Sequence, residues 1–394
     1  RSDLRFSLGH MNQTGIVPNT NLNITNFNAN IGYNFTDRLR FEANINYNRQ
    51  YTDNIPDANY GPNSLIYNIT TWAGADWDVD DMKQIWQPGK EGVQQIYAEY
   101  QRYNNPWFMA NYWLRGHYNN NTYGYLSLSY KITPDLKLIA RNGVNTYDLL
   151  RTEKMPYSAG AYGRDERRGD YREDRRSLFE NNTDVMLDFS RTFNKIRVNV
   201  LGGGAVRTFK YTTNYASTDY LITPGVYNFA NSANPVRAFG YNANMLVTSG
   251  YYSADVTLNK YLTLSHTGRV DRISTLPTEN QTFFYPSLGF NSIVTEYVKL
   301  GPISLLKLRG AYANVKDGLT QSTIGAAGAS VLGYGENYSS VYNGPSYANA
   351  EPYSTPLGYN NAPAAYYTNT LSNAALDRNS REEFELGADI GLFK

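Results

Sequence analysis

The stretch ITNFNANIGYNFTDRLRFEANINYNR, residues 24–49, decides the fold. Its side chains alternate with a period of two, so apolar residues such as Phe27 and Ile31 share one face and asparagines share the other. After a short polar turn at 35–38, the same alternation resumes from Leu39. The stretch therefore predicts a β-hairpin with one apolar and one polar face.

The length of these strands favours a membrane barrel over a soluble sheet with one buried face. Each run keeps its alternation for about 10 residues, which is what a tilted strand needs to cross a bilayer, whereas soluble strands usually stop at about 5 or 6. The polar face carries charged residues in mid-strand, which suits a water-filled lumen. The residues predicted to face the lumen are Arg40, Glu42, Asn44, Asn46, Lys307 and Arg309.

The hairpin pattern recurs along the chain and predicts about 12 strands. Short turns alternate with long connections, which are expected at about 50–120, 146–177, 207–245 and 316–382. Outer-membrane barrels show this asymmetry, with short turns in the periplasm and long loops outside. A soluble sandwich would mix its loop lengths at both ends. We therefore expect residues 1–394 to form an all-β transmembrane antiparallel barrel segment, with both chain ends on the periplasmic side.

Composition excludes several other classes of protein. A net charge of +1 argues against a nucleic-acid binder. The mean hydropathy is −0.55, and the chain has no apolar run long enough for a transmembrane helix. There is no cysteine, so disulfides and thiolate chemistry are excluded. The chain opens at Arg1 without a leader, which predicts a piece of a longer product.

No group of residues predicts catalysis, a cofactor or a metal site. His10, His117 and His266 are scattered over different predicted elements. The acidic stretch at 76–81 lacks the glycine and the bidentate glutamate of a calcium loop. We therefore expect a protein that is not an enzyme.

Two further stretches admit more than one interpretation. Residues 164–176, RDERRGDYREDRR, predict either a loop whose arginines and carboxylates pair with one another or a contact with lipopolysaccharide or an acidic partner. Residues 202–204 are three glycines that lack the lysine and the helix of a phosphate loop. They predict a bend or close packing in the barrel wall.

Aromatic residues are concentrated in the first long connection. Flat rings beside asparagine and aspartate suit stacking on sugars, and they equally suit a protein partner. The alternative is that the rings pack the loop's own core or join the interfacial girdle. The candidate substrate-binding residues are Trp72, Trp77, Trp86, Trp107, Trp113 and Tyr103.

Several segments resemble the SusC-like (RagA-like) family of TonB-dependent outer-membrane transporters. FYPSLGF at 284–290 and LLKLRGAY at 305–312 are similar to two strands of that family, and NNPW at 104–107, YNFANS at 227–232 and residues 373–393 follow its order. The resemblance covers nearly the whole chain. It implies a barrel of about 22 strands, of which this chain supplies only part, and a plug domain that this chain does not contain.

The resemblance also implies a function and partners. It implies TonB-dependent import of an oligomeric nutrient, either a glycan or a peptide, across the Gram-negative outer membrane. The partners would be a SusD-like surface lipoprotein, TonB, and outer-membrane lipid and lipopolysaccharide. A passive porin and a non-transporting barrel scaffold remain as alternatives.

Overall fold

The structure is a computed structural model. It describes residues 2–55, 63–72, 74, 76, 78–99, 103–161, 163–318 and 371–393, together with 322–324, 342–344, 353–354, 364–367 and 369. No helix within these ranges is long and apolar enough to cross a membrane.

In the described part of the chain, twelve long strands form one antiparallel sheet in chain order. They are β1 (Ser2–Thr14), β2 (Asn21–Asn34), β3 (Leu39–Thr52), β4 (Leu114–Lys131), β5 (Leu136–Met155), β6 (Asp170–Phe193), β7 (Ile196–Leu221), β8 (Ser232–Leu258), β9 (Leu262–Ile273), β10 (Thr282–Ile293), β11 (Ile303–Asp317) and β16 (Asn379–Leu392). Four short strands pair two by two outside this sheet: β12 (Ser322–Ile324) with β13 (Tyr342–Gly344), and β14 (Tyr353–Ser354) with β15 (Tyr366–Tyr367).

The helices within the described ranges are all short. They are α1 (Leu65–Tyr67), a π-helix (Asn68–Trp72), α2 (Pro106–Asn111) and 3-10 turns at Asp81–Lys83, Phe229–Asn231, Thr278–Asn280 and Val294–Glu296.

The hairpin predicted from residues 24–49 is present. Strands β2 and β3 pair in register from Asn34 opposite Arg40 to Asn23 opposite Tyr51. Phe27 and Ile45 lie on one face and are 37% and 39% exposed. We call this apolar face of the sheet the outer face and the opposite face, which carries Arg40, the inner face. Because the large apolar side chains are not buried in a protein core, the outer face suits contact with hydrocarbon.

The two ends of the sheet differ in their connections. At one end, the turn end, two to nine residues join β2 to β3, β4 to β5, β6 to β7, β8 to β9 and β10 to β11. At the other, the loop end, connections range from the short turn at 15–20 to the long segment at 53–113. The predicted asymmetry is therefore correct for the turn end, while the loop end mixes short and long connections.

Two of the predicted long loops are wrong in extent. Most of 146–177 belongs to β5 and β6, and most of 207–245 belongs to β7 and β8. The connections themselves are only 156–169 and 222–231. The apolar–polar alternation is lost there because charged residues such as Glu173 and Lys210 occupy outer positions, while apolar residues such as Phe209 fill buried inner positions. The sequence pattern therefore no longer shows a strand. The other two connections are 53–113 and 318–378, against about 50–120 and 316–382.

The sheet is open. Within the described ranges, β1 pairs with β2 alone and β16 pairs with β11 alone. All 13 residues of β1 are exposed. These twelve strands therefore do not close by themselves, as a passive twelve-stranded porin would require.

The buried side chains collect on the inner face toward the loop end. One cluster contains Phe209, Tyr211, Met245, Val247 and Phe283. A second joins the first long connection to the end of β5 through residues such as Phe108 and Met155. The loop end of the inner face is therefore covered by folded connections.

Candidate functional site

The inner face of β2 and β3 carries a closed ring of asparagines. Asn28 lies opposite Asn46, and Asn30 lies opposite Asn44. Each Nδ2 donates to the Oδ1 of the next residue, from Asn28 to Asn46 to Asn44 to Asn30 and back to Asn28, at 2.5–2.6 Å. The amides thus satisfy one another and present a neutral polar surface. The recurrent asparagines of residues 24–49 were the signal in the sequence.

Arg40 and Glu42 form an ion pair beside this ring. Arg40 Nε donates to Glu42 Oε1 at 2.9 Å, and Arg40 Nη2 reaches Asp3 Oδ2 at 3.2 Å. Both residues occupy the inner face with Asn44 and Asn46, as their register requires. Lys307 and Arg309 also share one face of their strand.

The glycines at 202–204 allow a contact across three strands. An added Cβ at Gly203 would lie 3.0 Å from Cζ of Tyr251 and 2.9 Å from the backbone oxygen of Val185. The Tyr251 ring therefore crosses β7 where there is no side chain, and its hydroxyl donates to Asp184 Oδ1 at 3.1 Å. The prediction of close packing at these glycines is confirmed.

Charged residues extend this contact across the inner face. Arg141 Nη2 lies 3.4 Å from Asp184 Oδ2. Arg269 Nε donates to Asp271 Oδ1 at 2.8 Å, and the Tyr285 hydroxyl also donates to Asp271. Arg269 Nη2 also donates to Ser249 Oγ at 2.8 Å. Ion pairs and hydrogen bonds thus join β5, β6, β8, β9 and β10 into one polar wall.

The first long connection is fixed to the loop at 156–169 by buried amides. Gln95 Nε2 donates to the backbone oxygen of Ser158 at 2.7 Å and to Asn104 Oδ1 at 3.0 Å. Asn104 Nδ2 donates to the backbone oxygen of Gly160 at 2.8 Å. Gln95 and Asn104 are fully buried. The two connections therefore form one docked layer above the barrel wall.

Helix α2 is capped at its N-terminus by its own sequence. Asn105 is the N-cap, and its Oδ1 accepts from the backbone N–H groups of Trp107 and Phe108, while Pro106 occupies the first turn. The helix inserts Phe108 into the cluster that also holds Met155. Local capping thus places this apolar surface against the end of β5.

Glu153 lies at the centre of the contact between this layer and the wall. Its Oε1 accepts from Trp113 Nε1 at 2.7 Å and from Arg115 Nε at 3.2 Å, and its Oε2 lies 2.8 Å from Arg172 Nε. All three charged side chains are at most 7% exposed. Sequence reasoning did not find this cluster, because its members are far apart in the chain.

The pKa of Glu153 gives a testable pH dependence for the docked layer. Burial alone would raise this pKa, but the two neighbouring guanidinium groups and the indole hydrogen bond hold it below its ordinary value of 4.5. A lowered folded-state pKa means that the stabilisation is complete above the unfolded value and is lost as the pH falls through the folded value. We therefore expect the near-ultraviolet circular dichroism of the docked tryptophans to stay constant from neutral pH to about 4.5 and to change only below it.

Glu153→Gln is the control for that titration. The variant has no carboxyl at this position and its first long connection should already be undocked at neutral pH, so its spectrum should resemble the acid spectrum of wild type and lack the acid transition that depends on Glu153. A transition of equal size and midpoint in this variant would contradict the assignment.

The charged run at 164–176 pairs largely with itself and with neighbouring strands. Arg164 Nε lies 2.9 Å from Asp170 Oδ2, and Arg164 Nη1 lies 2.9 Å from Asp219 Oδ1. Arg176 Nη2 lies 2.6 Å from Asp174 Oδ2. Within this run, residues 170–176 belong to strand β6. The contacts thus support the interpretation in which arginines and carboxylates pair with one another.

The candidate aromatic residues separate into different environments. Trp113 and Tyr103 are 1% and 8% exposed and lie within the docked layer, as the packing alternative requires. Trp86 packs edge-on against Phe108 at 5.5 Å between ring centroids.

Trp107 is half-buried, and its Nε1 donates to the backbone oxygen of Val79 at 2.8 Å. The side chain of Trp72 and the whole of Trp77 lie outside the described residues. Ligand contact by Trp86 and Trp107 stays a prediction.

Titratable side chains do not gather into a metal site within the described ranges, where no group of three histidines or carboxylates is close enough to hold an ion. His10 Nδ1 lies 2.9 Å from the Thr25 hydroxyl. His266 stacks on Tyr252 at 5.4 Å between ring centroids. These two histidines therefore have local partners on different strands.

Comparison with solved structures assigns the fold to a class. The chain superposes over its full length on the RagAB peptide transporter with a TM-score of 0.76 at 13% identity, and it covers 41% of that chain. The RagAB importer in an open-open state gives 0.75 at 14% identity, with 40% of that chain covered. The siderophore receptor PiuA from Acinetobacter baumannii gives 0.51 at 12% identity, with 98% of this chain and 50% of that chain covered. No protein-family profile and no curated protein matches the chain.

At these identities the likeness establishes the fold. The chain has the antiparallel barrel-wall fold of TonB-dependent outer-membrane proteins. Within that class its fold is of the RagA-like, SusC-like type. The chain spans about two fifths of the RagAB chains that it matches.

Proposed function

We propose that this chain forms part of the barrel wall of a SusC-like importer in the Gram-negative outer membrane. The observation that carries the proposal is the superposition of the entire chain on the RagAB transporter. The open edges at β1 and β16 agree with it, since further strands of a longer protein would pair with both.

The cargo is an oligomeric nutrient, either a peptide or a glycan. The inner face presents amides, hydroxyls and fixed ion pairs, which suit hydrogen bonding to backbone amides or sugar hydroxyls. The docked layer holds Trp86 and Trp107 at the loop end, where they are the candidates for contacting cargo. The protein would bind cargo and pass it on without covalent chemistry.

The partners follow from the same proposal. A SusD-like lipoprotein would cover the loop end, and TonB would deliver energy through a plug that lies outside this chain. The buried contacts of the first long connection support this arrangement, because a preformed surface suits a partner better than extended loops do.

The test is uptake by cells that produce the full-length protein. Labelled oligopeptides and labelled oligosaccharides are supplied separately, with and without collapse of the proton-motive force. We expect one of the two classes to enter, and entry to stop when the force is collapsed. Uptake that survives the collapse would instead identify a porin, and partner co-purification without uptake of either class would identify a scaffold.

A further inference from the structure

The outer face changes from apolar to cationic at one height. On β3, β7, β9 and β11, which run from the turn end to the loop end, the first charged outer residue is a lysine or an arginine, whereas on β5, which runs in the same direction, it is Asp148. The four basic residues are Arg49, Lys210, Arg272 and Lys316, which we call the outer cation row. Each lies about 10–14 residues after the start of its strand, just beyond the length needed to cross the hydrocarbon.

The pleat of the sheet places all four side chains on the outer face. Each lies an even number of residues from an exposed apolar residue of its own strand: Ile45 for Arg49, Val206 for Lys210, Val270 for Arg272 and Tyr312 for Lys316. These four apolar residues are 36–45% exposed. The row therefore borders the apolar belt directly.

No member of the row has a carboxylate partner within the described ranges. Arg49 stacks on Tyr51 at 4.8 Å, and Arg272 Nε donates to Gln281 Oε1 at 3.2 Å. Lys316 Nζ donates to the backbone oxygen of Phe284 at 2.8 Å, while Lys210 is exposed. Each of these cations therefore has N–H groups on the outer face that do not bind a carboxylate of the described residues.

Several cations of the inner face differ from this row. Arg40, Arg141, Arg207 and Arg269 each have a carboxylate within 3.4 Å. Two acids, Asp148 and Glu382, lie on the outer face at the height of the row, and Glu382 accepts from Asn314. Cations therefore outnumber acids in this part of the outer face, which carries a net positive charge within the described ranges.

We propose that the outer cation row binds phosphate groups of lipid A in the outer leaflet. Phosphate oxygens accept charge-assisted hydrogen bonds from ammonium and guanidinium groups, and basic residues at this depth reach toward anionic headgroups. Arg272 and Lys316 flank β10, so two strand spacings, about 10 Å, separate them. This pair forms a gap for one phosphorylated headgroup. The inference rests on the membrane placement in the proposed function, and not on transport.

The test measures lipid binding directly. Full-length protein in detergent is titrated with monophosphoryl lipid A, phosphatidylglycerol, phosphatidylcholine or inorganic phosphate, and bound lipid is counted by native mass spectrometry. We expect lipid A to bind tightest, phosphatidylglycerol more weakly, and phosphatidylcholine and inorganic phosphate weakest. The Arg272→Gln, Lys316→Gln double variant should bind lipid A about 25-fold more weakly, since each basic residue near an anionic membrane surface contributes roughly fivefold.

Lys307→Gln is the matched control, because Lys307 lies on β11 like Lys316 but on the inner face. Its lipid A affinity should stay within about twofold of wild type. All variants are first checked for the heat-dependent electrophoretic shift of a folded barrel. Equal loss in the control, an unchanged double variant, or phosphatidylglycerol binding as tight as lipid A would overturn the proposal. If the wild-type protein binds lipid A as expected but imports neither oligopeptides nor oligosaccharides, only the proposed function is contradicted.

Discussion

Glu153→Gln is expected to undock the first long connection from the barrel wall. The variant removes the negative charge that lies between the buried guanidinium groups of Arg115 and Arg172. Removing one partner of a buried ion pair costs about 3–5 kcal/mol. Since 1.4 kcal/mol is a factor of ten, cleavage by trypsin at Lys83 and Lys90 in full-length protein should become at least about 100-fold faster.

The control for this effect is an exposed ion pair on the same sheet. Glu42 is 46% exposed and pairs with Arg40, which is 34% exposed. Glu42→Gln should therefore change stability by at most about 1 kcal/mol and leave the cleavage rate close to wild type. If both variants are cleaved at the wild-type rate, the buried pair does not hold the connection in place.

Gly203→Val is expected to destabilise the barrel wall. Its side chain would collide with the Tyr251 ring and the Val185 backbone oxygen, and it would displace the hydroxyl that donates to Asp184. Overpacking of this kind costs about 1–3 kcal/mol. We expect the full-length protein to lose its heat-dependent electrophoretic shift at a lower temperature than wild type.

The neighbouring glycine supplies the control for Gly203→Val. An added Cβ at Gly202 would meet nothing within 4 Å, because Gly202 faces the other side of the same strand. Gly202→Val should be neutral or stabilising by about 0.5–1 kcal/mol, since a glycine in a strand interior carries an entropic cost. An equal loss of stability in both variants would show that the strand simply needs glycine at this point.

The parts of the strands that cross the hydrocarbon could be predicted from the sequence, but the parts of the strands near the loop end could not. In β6 the outer side chains Val185 and Leu187 alternate with the inner residues Asp184, Met186 and Asp188, and this local pattern is independent of any partner strand. Toward the loop end of β6, Arg172 and Asp174 are buried and pair with Glu153 and Arg151 of β5. Their environment depends on residues far away in the chain, so the same strand resembles a charged loop.

The candidate site shows the same division. The inner position of Arg40 follows from alternation alone, whereas the burial of Trp113 follows from the approach of Glu153, forty residues later in the chain. Sequence by itself determined which strands form, their order and which face is apolar, because a period of two is a local property of an extended chain. Only the tertiary structure decided how far the strands extend, which charges pair, that Tyr251 crosses β7 to reach Asp184, and that the sheet stays open at β1 and β16, because each of these depends on which distant residues the register brings together.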